Sequence, residues 1–270
     1  MRFLYLLSNI AAFLLENVFA YRKKVIDENL KNSFPNKTDF ERKKIRKQFY
    51  LNFADVFIES LKSLSISAKT AQKEVVYEGK EILEQFYLQN RDVILVMGHL
   101  GNWEKICSIL PVFVSHKILG VYKPLKNLFF DKKVKSIRSK FGVDLVAMKD
   151  TNKRIKEKVA TPKAIILIAD QSPSNPQRSF WTSFLNQETG VMMGTEKFAK
   201  IYDLPVVYLN ILKEKRGRYK VHFELLSTNS KTMPKGEITK LHTKALEENI
   251  VLYPHLWLWS HKRWKHKKTQ

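Results

Sequence analysis

Apolar residues recur through the middle of this chain with two alternating periodicities. Short, nearly continuous apolar runs are separated by segments in which apolar residues recur every three or four positions, so strands and helices are predicted to alternate. The predicted strands lie at 75–77, 93–97, 118–122, 143–147, 164–169, 206–212 and 219–226. The predicted helices among them lie at 82–88, 103–114, 127–141, 152–159, 195–202 and 237–249. Because strands that are apolar at nearly every position are buried on both faces, the pattern predicts an α/β fold with a largely parallel sheet flanked by helices.

An amphipathic helix is predicted at the N-terminus, over residues 3–20. Its apolar face holds Leu4, Leu7, Ile10, Ala11, Leu14, Leu15 and Val18, and the opposite face holds Tyr5, Asn9, Ala12 and Glu16. A helix of this kind, of borderline length for crossing a bilayer, is expected to lie in or against the membrane. Packing on the protein's own core is the alternative. We therefore divide the chain into a membrane-associated segment, 1–24, and one domain, 25–270.

Two further segments have recognisable local patterns. A capping box from Thr38 to Glu41 begins a second helix, which is predicted to run to about Leu64. Residues 171–194 contain two prolines, several serines and asparagines, and the aromatic residues Phe180, Trp181 and Phe184. Long irregular loops in compact domains are usually functional or disordered, and the aromatics argue against disorder. This stretch is predicted to be an irregular active-site flap.

The charge of the chain narrows its possible partners. The 270 residues carry a formal net charge of +22, which favours nucleic acid, an anionic membrane surface, or phosphorylated and acidic substrates. Basic residues at 22–24 and 42–47 follow the N-terminal helix, so they are expected to hold the body of the protein against anionic headgroups on the cytoplasmic side. No zinc finger, RNP motif or KH loop is recognisable, so specific nucleic-acid binding is a minor alternative. The single cysteine, Cys107, excludes an internal disulfide and a multi-cysteine metal site.

The sequence HLGNWE, from His99 to Glu104, directly follows the apolar run 93–97. Five positions along one continuous helix would leave the two side chains roughly 140° apart, so a turn must intervene if they are to meet. Gly98 and Gly101 give the backbone that freedom, and Asn102 is a good N-cap for the helix that follows. Glu104 then lies in the first helical turn, where the dipole favours its ionised form. The arrangement predicts a histidine general base oriented by a glutamate. A loop histidine and an unrelated helix-start glutamate are the alternative.

Several sequence blocks resemble the late acyltransferases of lipid A biosynthesis, the lauroyl and myristoyl transferase family of Gram-negative bacteria. The blocks are YRKKVIDENLKNSFP at 21–35, HLGNWE at 99–104, VYKPLKN at 121–127, IADQ at 168–171 and WLWSHKRWK at 257–265. HLGNWE is similar to the H-x4-D/E motif that the family shares with the wider glycerolipid acyltransferases. The chain departs from the family pattern at Lys123, where arginine is common, after the third block, where a Phe-Phe-Gly element is usual, and at His255-Leu256, where a Glu-Gln pair is common.

The resemblance implies a fold, a reaction and a set of site residues. It implies a glycerolipid-acyltransferase-like sheet in which His99 deprotonates an acceptor hydroxyl and Glu104 orients the imidazole. The implied donor is a thioester on acyl carrier protein, the implied acceptor is a phosphorylated glycolipid, a lipid A precursor, and neither a metal nor another cofactor is expected. The residues assigned to substrate are Asn102, Lys123, Asp170, Gln171 and Arg263, with Lys126 and Arg138 as further phosphate contacts.

The resemblance also bears on location and leaves alternatives for the acceptor. Asp170 and Gln171 end a buried strand at its carboxyl edge, where ligands of α/β sheets gather, although an aspartate there also commonly caps a turn. Arg263 and the tryptophans Trp257, Trp259 and Trp264 are expected to form an interfacial belt, with ordinary aromatic packing as the alternative. The implied location is the cytoplasmic face of the bacterial inner membrane. A lysophospholipid, an aminolipid or a mannolipid remains an alternative acceptor.

Overall fold

A computed structural model describes residues 2–268, and its strands form one large sheet and one hairpin. The strands are β1 (Val75–Glu78), β2 (Val93–Met97), β3 (Lys117–Tyr122), β4 (Asp144–Ala147), β5 (Lys163–Ile168), β6 (Ser179–Phe184), β7 (Gln187–Met192), β8 (Val206–Lys215) and β9 (Arg218–Ser227). The large sheet has the order β1-β9-β8-β2-β5-β3-β4, and every neighbouring pair in it is parallel except β8 and β9. The predicted α/β fold with a largely parallel sheet is confirmed.

Helices cover both faces of this sheet. They are α1 (Arg2–Phe13), α2 (Lys23–Ser33), α3 (Asp39–Ser63), α4 (Ala68–Glu74), α5 (Glu81–Leu88), α6 (Trp103–Ile109), α7 (Leu128–Ser139), α8 (Thr151–Lys156), α9 (Gly194–Tyr202) and α10 (Glu237–Leu252). The central strand β2 is buried at every position. Ile94 and Val96 belong to one core layer, and Val93, Leu95 and Met97 belong to the layer on the other face. This alternation explains why the strand reads as a continuous apolar run.

One local prediction is confirmed, and one predicted helix ends earlier than expected. The capping box at the start of α3 is present, since the Thr38 side chain accepts from the Glu41 backbone and the Glu41 carboxylate accepts from Thr38 N–H. The helix predicted at 103–114 ends earlier, at Ile109, and continues as a 3-10 turn over Leu110–Val112. Pro111 has no N–H to donate to an α-helical bond, which accounts for the early end.

The segment 171–194 differs from its prediction, because most of it is a regular β-hairpin rather than an irregular flap. Strands β6 and β7 pair antiparallel with a two-residue loop, Leu185-Asn186. Both loop residues have positive φ, 50° and 61°, as a type I′ hairpin turn requires. The usual Asn-Gly or Asp-Gly sequence of such a turn is missing here, so the hairpin was not recognisable from its loop. The buried Phe184 ring packs edge-on against Trp257, which fixes the hairpin to the C-terminal segment.

The N-terminal helix turns Ser8, Ala12 and Glu16 toward the protein and exposes most of its large apolar side chains, together with Asn9 and Asn17. Ser8, Ala12 and Glu16 are buried along one side of α1 and of the π-helical turn Leu14–Val18 that extends it. The exposed apolar side chains of the same segment are Phe3, Leu6, Leu7, Ile10, Phe13, Leu14, Val18 and Phe19. This is the reverse of a helix that packs on a soluble core. The expected amphipathic helix is therefore present, and its apolar side faces away from the protein.

Hydrogen bonds and ion pairs attach this polar side to α3. Ser8 Oγ donates to Asp55 Oδ1 at 2.6 Å, and Tyr5 OH donates to Glu59 Oε1 at 3.0 Å. The buried Asp55 carboxylate also binds Arg216 and Lys213 from the β8–β9 hairpin. Burial opposes ionisation of Asp55, but Arg216, Lys213 and Ser8 together lower its pKa below the usual range. Asp55 thus ties α1, α3 and the sheet together as a charged group.

Among residues 2–268, no single helix is both long enough and apolar enough to cross a membrane. Residues 3–18 and the helix Lys23–Ser33 reach that length and hydropathy only as a pair, and the pair is bent by 88°.

We expect Asp55→Asn to destabilise the fold by about 3 kcal/mol, because it leaves the Lys213 and Arg216 cations without their carboxylate partner. Urea unfolding followed by circular dichroism measures this loss. Glu248→Gln is the control, since Glu248 forms only an exposed pair with Lys244 and its loss should be too small to resolve. Equal stability of Asp55→Asn and the unmodified protein would contradict a structural role for this cluster.

Candidate active site

The loop after β2 carries His99 to the carboxyl edge of the sheet. Gly98 is needed there because a Cβ at this position would lie 2.6 Å from Leu246 Cδ1. Gly101 has φ +58°, and its left-handed conformation makes the turn that the His99–Glu104 spacing requires. The C-terminal segment pairs with this loop, since Gly101 N donates to Leu256 O at 3.0 Å and Leu258 N donates to His99 O at 3.2 Å. The C-terminal segment therefore fixes the backbone of this loop at both His99 and Gly101.

Asp170 is the hydrogen-bond partner of His99. It follows β5, the strand next to β2, and its Oδ1 lies 2.6 Å from His99 Nδ1. Its other oxygen, Oδ2, accepts from His99 N–H at 2.8 Å and from the Trp257 indole N–H at 2.8 Å. The carboxylate therefore fixes both the backbone and the ring of the histidine.

The environment of Asp170 keeps it ionised. The side chain is 2% exposed, and burial alone would raise the pKa of its carboxyl. The positive charge that His99 can carry and the three donated hydrogen bonds outweigh burial and lower the pKa to about 2. An ionised Asp170 accepts a proton-bearing Nδ1, which leaves His99 Nε2 with a free lone pair.

The Nε2 side of His99 faces Gln171, the residue after Asp170. The His99 side chain is 16% exposed, and Gln171 Nε2 lies 3.4 Å from His99 Nε2. The Trp103 ring packs edge-on against the imidazole, with centroids 5.1 Å apart. Ser172, the residue after Gln171, donates its N–H to Nε2 of His261 at 3.0 Å. Burial lowers the pKa of His261 to about 4. His261 is therefore a neutral acceptor that orders the chain beyond Gln171.

Glu104 lies near His99 but pairs with Arg138, which corrects the expected hydrogen bond between the two motif residues; its catalytic role stays a prediction. Arg138 from α7 donates Nε–H to Glu104 Oε2 at 2.8 Å and an Nη2 hydrogen to Glu104 Oε1 at 2.5 Å, a bidentate pair. Burial opposes ionisation of Glu104, but the hydrogen bonds and charge of Arg138, with the nearby His99, lower its pKa. The dyad expected between His99 and Glu104 is replaced by one between His99 and Asp170, because α6 directs Glu104 toward α7.

Asn102 is buried, and both ends of its side-chain amide are bound by other residues of the protein. Its Oδ1 accepts from Lys105 N–H at 3.0 Å, so the predicted N-cap of α6 is confirmed. Its Nδ2 donates to the buried Glu59 carboxylate at 2.9 Å, and Tyr219 OH donates to the same oxygen. Glu59 also receives the Tyr5 hydroxyl, so one buried acid connects α1 with the catalytic loop.

Trp257, Trp259 and Arg263 of the C-terminal block are interior and Trp264 is half-buried, which corrects the predicted interfacial belt. Trp257 and Trp259 are 2% and 0% exposed, and their rings pack edge-on with centroids 4.7 Å apart. Arg263 is buried and donates to Gly190 O at 2.8 Å. Arg263 and Asp170 line the same narrow cavity. Burial lowers the pKa of the Arg263 guanidinium to about 10, although the negative charge of Asp170 acts in the opposite direction. Arg263 thus lies in the interior near Asp170, and its assignment to substrate stays a prediction.

Lys123 and Gln171 remain at the accessible edge, where the sequence assigned them. Lys123 and Lys126 are exposed in the loop that follows β3. Strand β3 pairs with β5, so this loop shares the carboxyl edge with His99 but lies two strands away. The Cys107 sulfur, on α6, lies 3.5 Å from the Met97 sulfur, and burial, with the nearby Glu104 charge, raises its thiol pKa to about 12. Cys107 is therefore not poised as a thiolate nucleophile.

Among residues 2–268, histidine, cysteine and carboxylate side chains form no group of three or more that could hold a metal ion.

Some features of the site had no sequence signal, and others had a weak one. Asp170 was recognised as a strand-end residue, and the adjacency of β5 and β2 is what makes it the partner of His99. The Glu104–Arg138 pair joins residues 34 positions apart, and the Trp257–Asp170 bond joins residues 87 positions apart. Such long-range pairs have no periodicity that a single sequence displays. In the sequence, only the shared family resemblance of the blocks 99–104, 168–171 and 257–265 indicates that these segments belong to one site.

Comparisons with known proteins agree with the sequence resemblance. Residues 1–266 match the family of bacterial lipid A biosynthesis acyltransferases. A 130-residue segment is 31% identical to lipid A biosynthesis acyltransferase 2 of Shigella flexneri, and this segment covers 45% of the present chain and 38% of the Shigella protein. Because the family match extends over nearly the whole sequence, the chain belongs to the bacterial lipid A biosynthesis acyltransferase family.

Proposed function

We propose that this chain transfers a fatty acyl group from an acyl carrier protein thioester to a hydroxyl of a lipid A precursor, with His99 as general base. The observation that carries the proposal is the His99–Asp170 pair at the carboxyl edge of the sheet, 2.6 Å from Nδ1 to Oδ1. An imidazole held in one tautomer by an ionised acid is suited to removing a proton from an alcohol. Family membership supplies the substrate class.

The reaction follows from the free Nε2 of His99. Nε2 removes the proton of the acceptor hydroxyl as its oxygen attacks the thioester carbonyl carbon. A tetrahedral intermediate forms, the carbon–sulfur bond breaks, and the departing thiolate takes the proton back from the imidazolium. The ionised Asp170 stabilises the imidazolium between these two steps. Gln171, 3.4 Å from Nε2, is placed to orient the acceptor hydroxyl.

The Glu104–Arg138 pair contributes a second, more distant charge. Glu104 is held ionised near His99, so its negative charge is placed to stabilise the imidazolium that forms during the reaction. The bidentate bond uses Nε and Nη2 of Arg138, and Nη1 is the nitrogen that remains for an acyl oxygen or a phosphate of the substrate. Glu104 thus acts in catalysis through charge and through Arg138, while Asp170 orients the base.

The charge of the chain fits both proposed substrates. Acyl carrier proteins are acidic, and a net charge of +22 accelerates their encounter with this protein. The exposed Lys123 and Lys126 lie at the edge that His99 occupies, where they are suited to a glycolipid phosphate. The outward apolar side of α1 supports association with the cytoplasmic face of the inner membrane. The division into segments 1–24 and 25–270 stays a prediction.

We expect His99→Ala to lower kcat about 10³-fold, because the attacking oxygen loses its general base. The assay incubates purified protein with carrier-protein thioesters of several chain lengths and a tetra-acylated lipid A precursor, and mass spectrometry detects the acylated product. A lysophospholipid in a parallel reaction tests the alternative acceptor. Circular dichroism and thermal unfolding of the variant verify that it is folded. Transfer at the rate of the unmodified protein would overturn the base assignment, and transfer to the lysophospholipid alone would overturn the acceptor.

We expect Asp170→Asn to lower kcat about 10³-fold with a much smaller change in KM, because an amide does not fix the Nδ1-protonated tautomer. Steady-state kinetics separates the two constants. Retention of most of the activity would show that Asp170 only supports the fold.

A pH series of unfolding experiments serves as the structural control for this variant. The carboxyl has a pKa of about 2 in the folded protein and of about 3.9 when unfolded. Its ionised form therefore stabilises the fold above pH 4, and this contribution is lost as the pH falls toward 2. The stability difference between the unmodified protein and Asp170→Asn should shrink over that interval.

We expect Glu104→Ala and Arg138→Ala each to lower kcat/KM by about 10- to 100-fold. The kcat/KM of the double variant should be no lower than that of the less active single variant. The reason is that the two side chains act as one bidentate unit. The same assay measures all three variants. Effects that multiply in the double variant would instead indicate that Glu104 and Arg138 act independently.

A further inference from the structure

The start of α7 exposes an unusual amount of apolar surface. Leu125, Leu128, Phe129 and Phe130, together called the α7 lobe, are 45%, 80%, 65% and 59% exposed. The Phe129 and Phe130 rings pack edge-on, with centroids 5.5 Å apart, so they form one patch. Isolated exposed apolar residues need no explanation, but four large ones within six positions indicate an interaction surface.

The α7 lobe has a defined structure. Asn127 Oδ1 caps α7 by accepting from the N–H groups of Phe129 and Phe130. Asp131 Oδ1 accepts from Leu125 N–H at 2.9 Å, which closes the turn before the helix. Farther along α7, Arg138 is bound to Glu104. The exposed side chains are therefore presented by a helix that is anchored to the rest of the site.

The α7 lobe shares its edge of the sheet with His99. Ile165 pairs with Ile94 of β2 and with Leu119 of β3. Three residues farther along each strand, Ile168, Met97 and Tyr122 therefore lie on one row. His99 lies two positions beyond this row, and the α7 lobe begins three positions beyond it.

The N-terminal helix lies at the same edge. Strand β8 is parallel to β2, so the turn that follows it at Arg216-Gly217 extends past the same end of the sheet. The Arg216 guanidinium lies over the Tyr5 ring, 4.6 Å from its centroid, which places α1 against that turn. Two outward apolar surfaces, α1 and the α7 lobe, thus occur at the edge that holds the catalytic base.

Lysines surround the α7 lobe. Lys123 precedes it, Lys126 lies within it, Lys132 and Lys133 follow it, and all four are exposed. The Lys133 ammonium lies 5.7 Å from the Phe129 centroid, so charge and aromatic surface are interleaved. Apolar side chains ringed by cations match the boundary between acyl chains and anionic headgroups.

We propose that the α7 lobe inserts into the headgroup region of an anionic bilayer as a second membrane contact, separate from α1. An acidic carrier protein would also be attracted by the lysines, but it gives no reason for large exposed phenylalanines flanked on the same edge by a second outward apolar helix. With α1 and the α7 lobe both in the interface, the His99 edge faces the membrane, where a glycolipid hydroxyl lies. The inference concerns membrane contact and does not depend on the identity of the acyl acceptor.

A pair of matched leucines tests the proposal. Leu128 in the α7 lobe is 80% exposed, and Leu88 is 78% exposed at the end of α5, directly before β2 and therefore at the opposite edge of the sheet. Leu128→Cys and Leu88→Cys, each in a Cys107→Ala background, are labelled with an environment-sensitive fluorophore. The full-length proteins are mixed with vesicles of phosphatidylglycerol and phosphatidylcholine in equal amounts, and co-sedimentation measures binding in the same samples.

We expect the emission at position 128 to shift to the blue with these vesicles and the emission at position 88 to stay unchanged. Binding without a shift at position 128 would overturn the lobe contact while leaving membrane association through α1 intact. Absence of vesicle binding would overturn both. A shift at position 128 with acyl carrier protein but not with vesicles would assign the surface to the carrier protein instead. None of these samples contains an acyl acceptor, so failure here is distinguishable from failure of the proposed acyl transfer.

Unlabelled serine variants give an independent measurement. We expect Leu128→Ser to weaken partitioning onto the mixed vesicles about tenfold, the effect of withdrawing one leucine side chain from the apolar phase. Leu88→Ser is expected to leave partitioning unchanged. Equal partitioning of the two variants would overturn the proposal.

Discussion

The buried carboxylate of Asp170 is the group on which the arrangement of the site depends. It lies at the end of β5 and accepts hydrogen bonds from the backbone and ring of His99 and from the Trp257 indole. A buried charge is tolerated only when it is fully compensated, so these three donors must be in place for the region to fold as it does. The same interaction brings the motif loop, the third sequence block and the C-terminal block together.

Two acids lie beside one imidazole, and the fold gives them different partners. Asp170 is aligned with Nδ1 because parallel β2 and β5 end at the same edge. Glu104 begins α6, and the first turn of that helix directs it toward Arg138 of α7. The proposed mechanism follows this division, since orientation of the base requires a direct hydrogen bond and stabilisation of a transient cation requires only a nearby charge.

Large apolar side chains are also exposed at the edge of the sheet that carries His99. The N-terminal helix turns Ser8 and Glu16 inward and its large apolar side chains outward. Buried Glu59 receives hydrogen bonds from Tyr5 of that helix and from Asn102 of the catalytic loop. The N-terminal helix and the loop that carries His99 are therefore linked through a single carboxylate, which fits a proposed enzyme whose acceptor is a lipid.

The sequence by itself determined the fold class, the strand positions, the capping box of α3 and the loop that carries His99, because each depends on local periodicity or short-range geometry. It also indicated the amphipathic N-terminal helix. The β6–β7 hairpin escaped it, because the Leu185-Asn186 turn lacks the usual turn residues. Only the tertiary structure decided that Asp170 rather than Glu104 binds His99, and that Trp257 and Arg263 are interior. Those outcomes depend on which strands are neighbours and where helices cross, and residues 34 to 87 positions apart leave no periodic record of such contacts in one sequence.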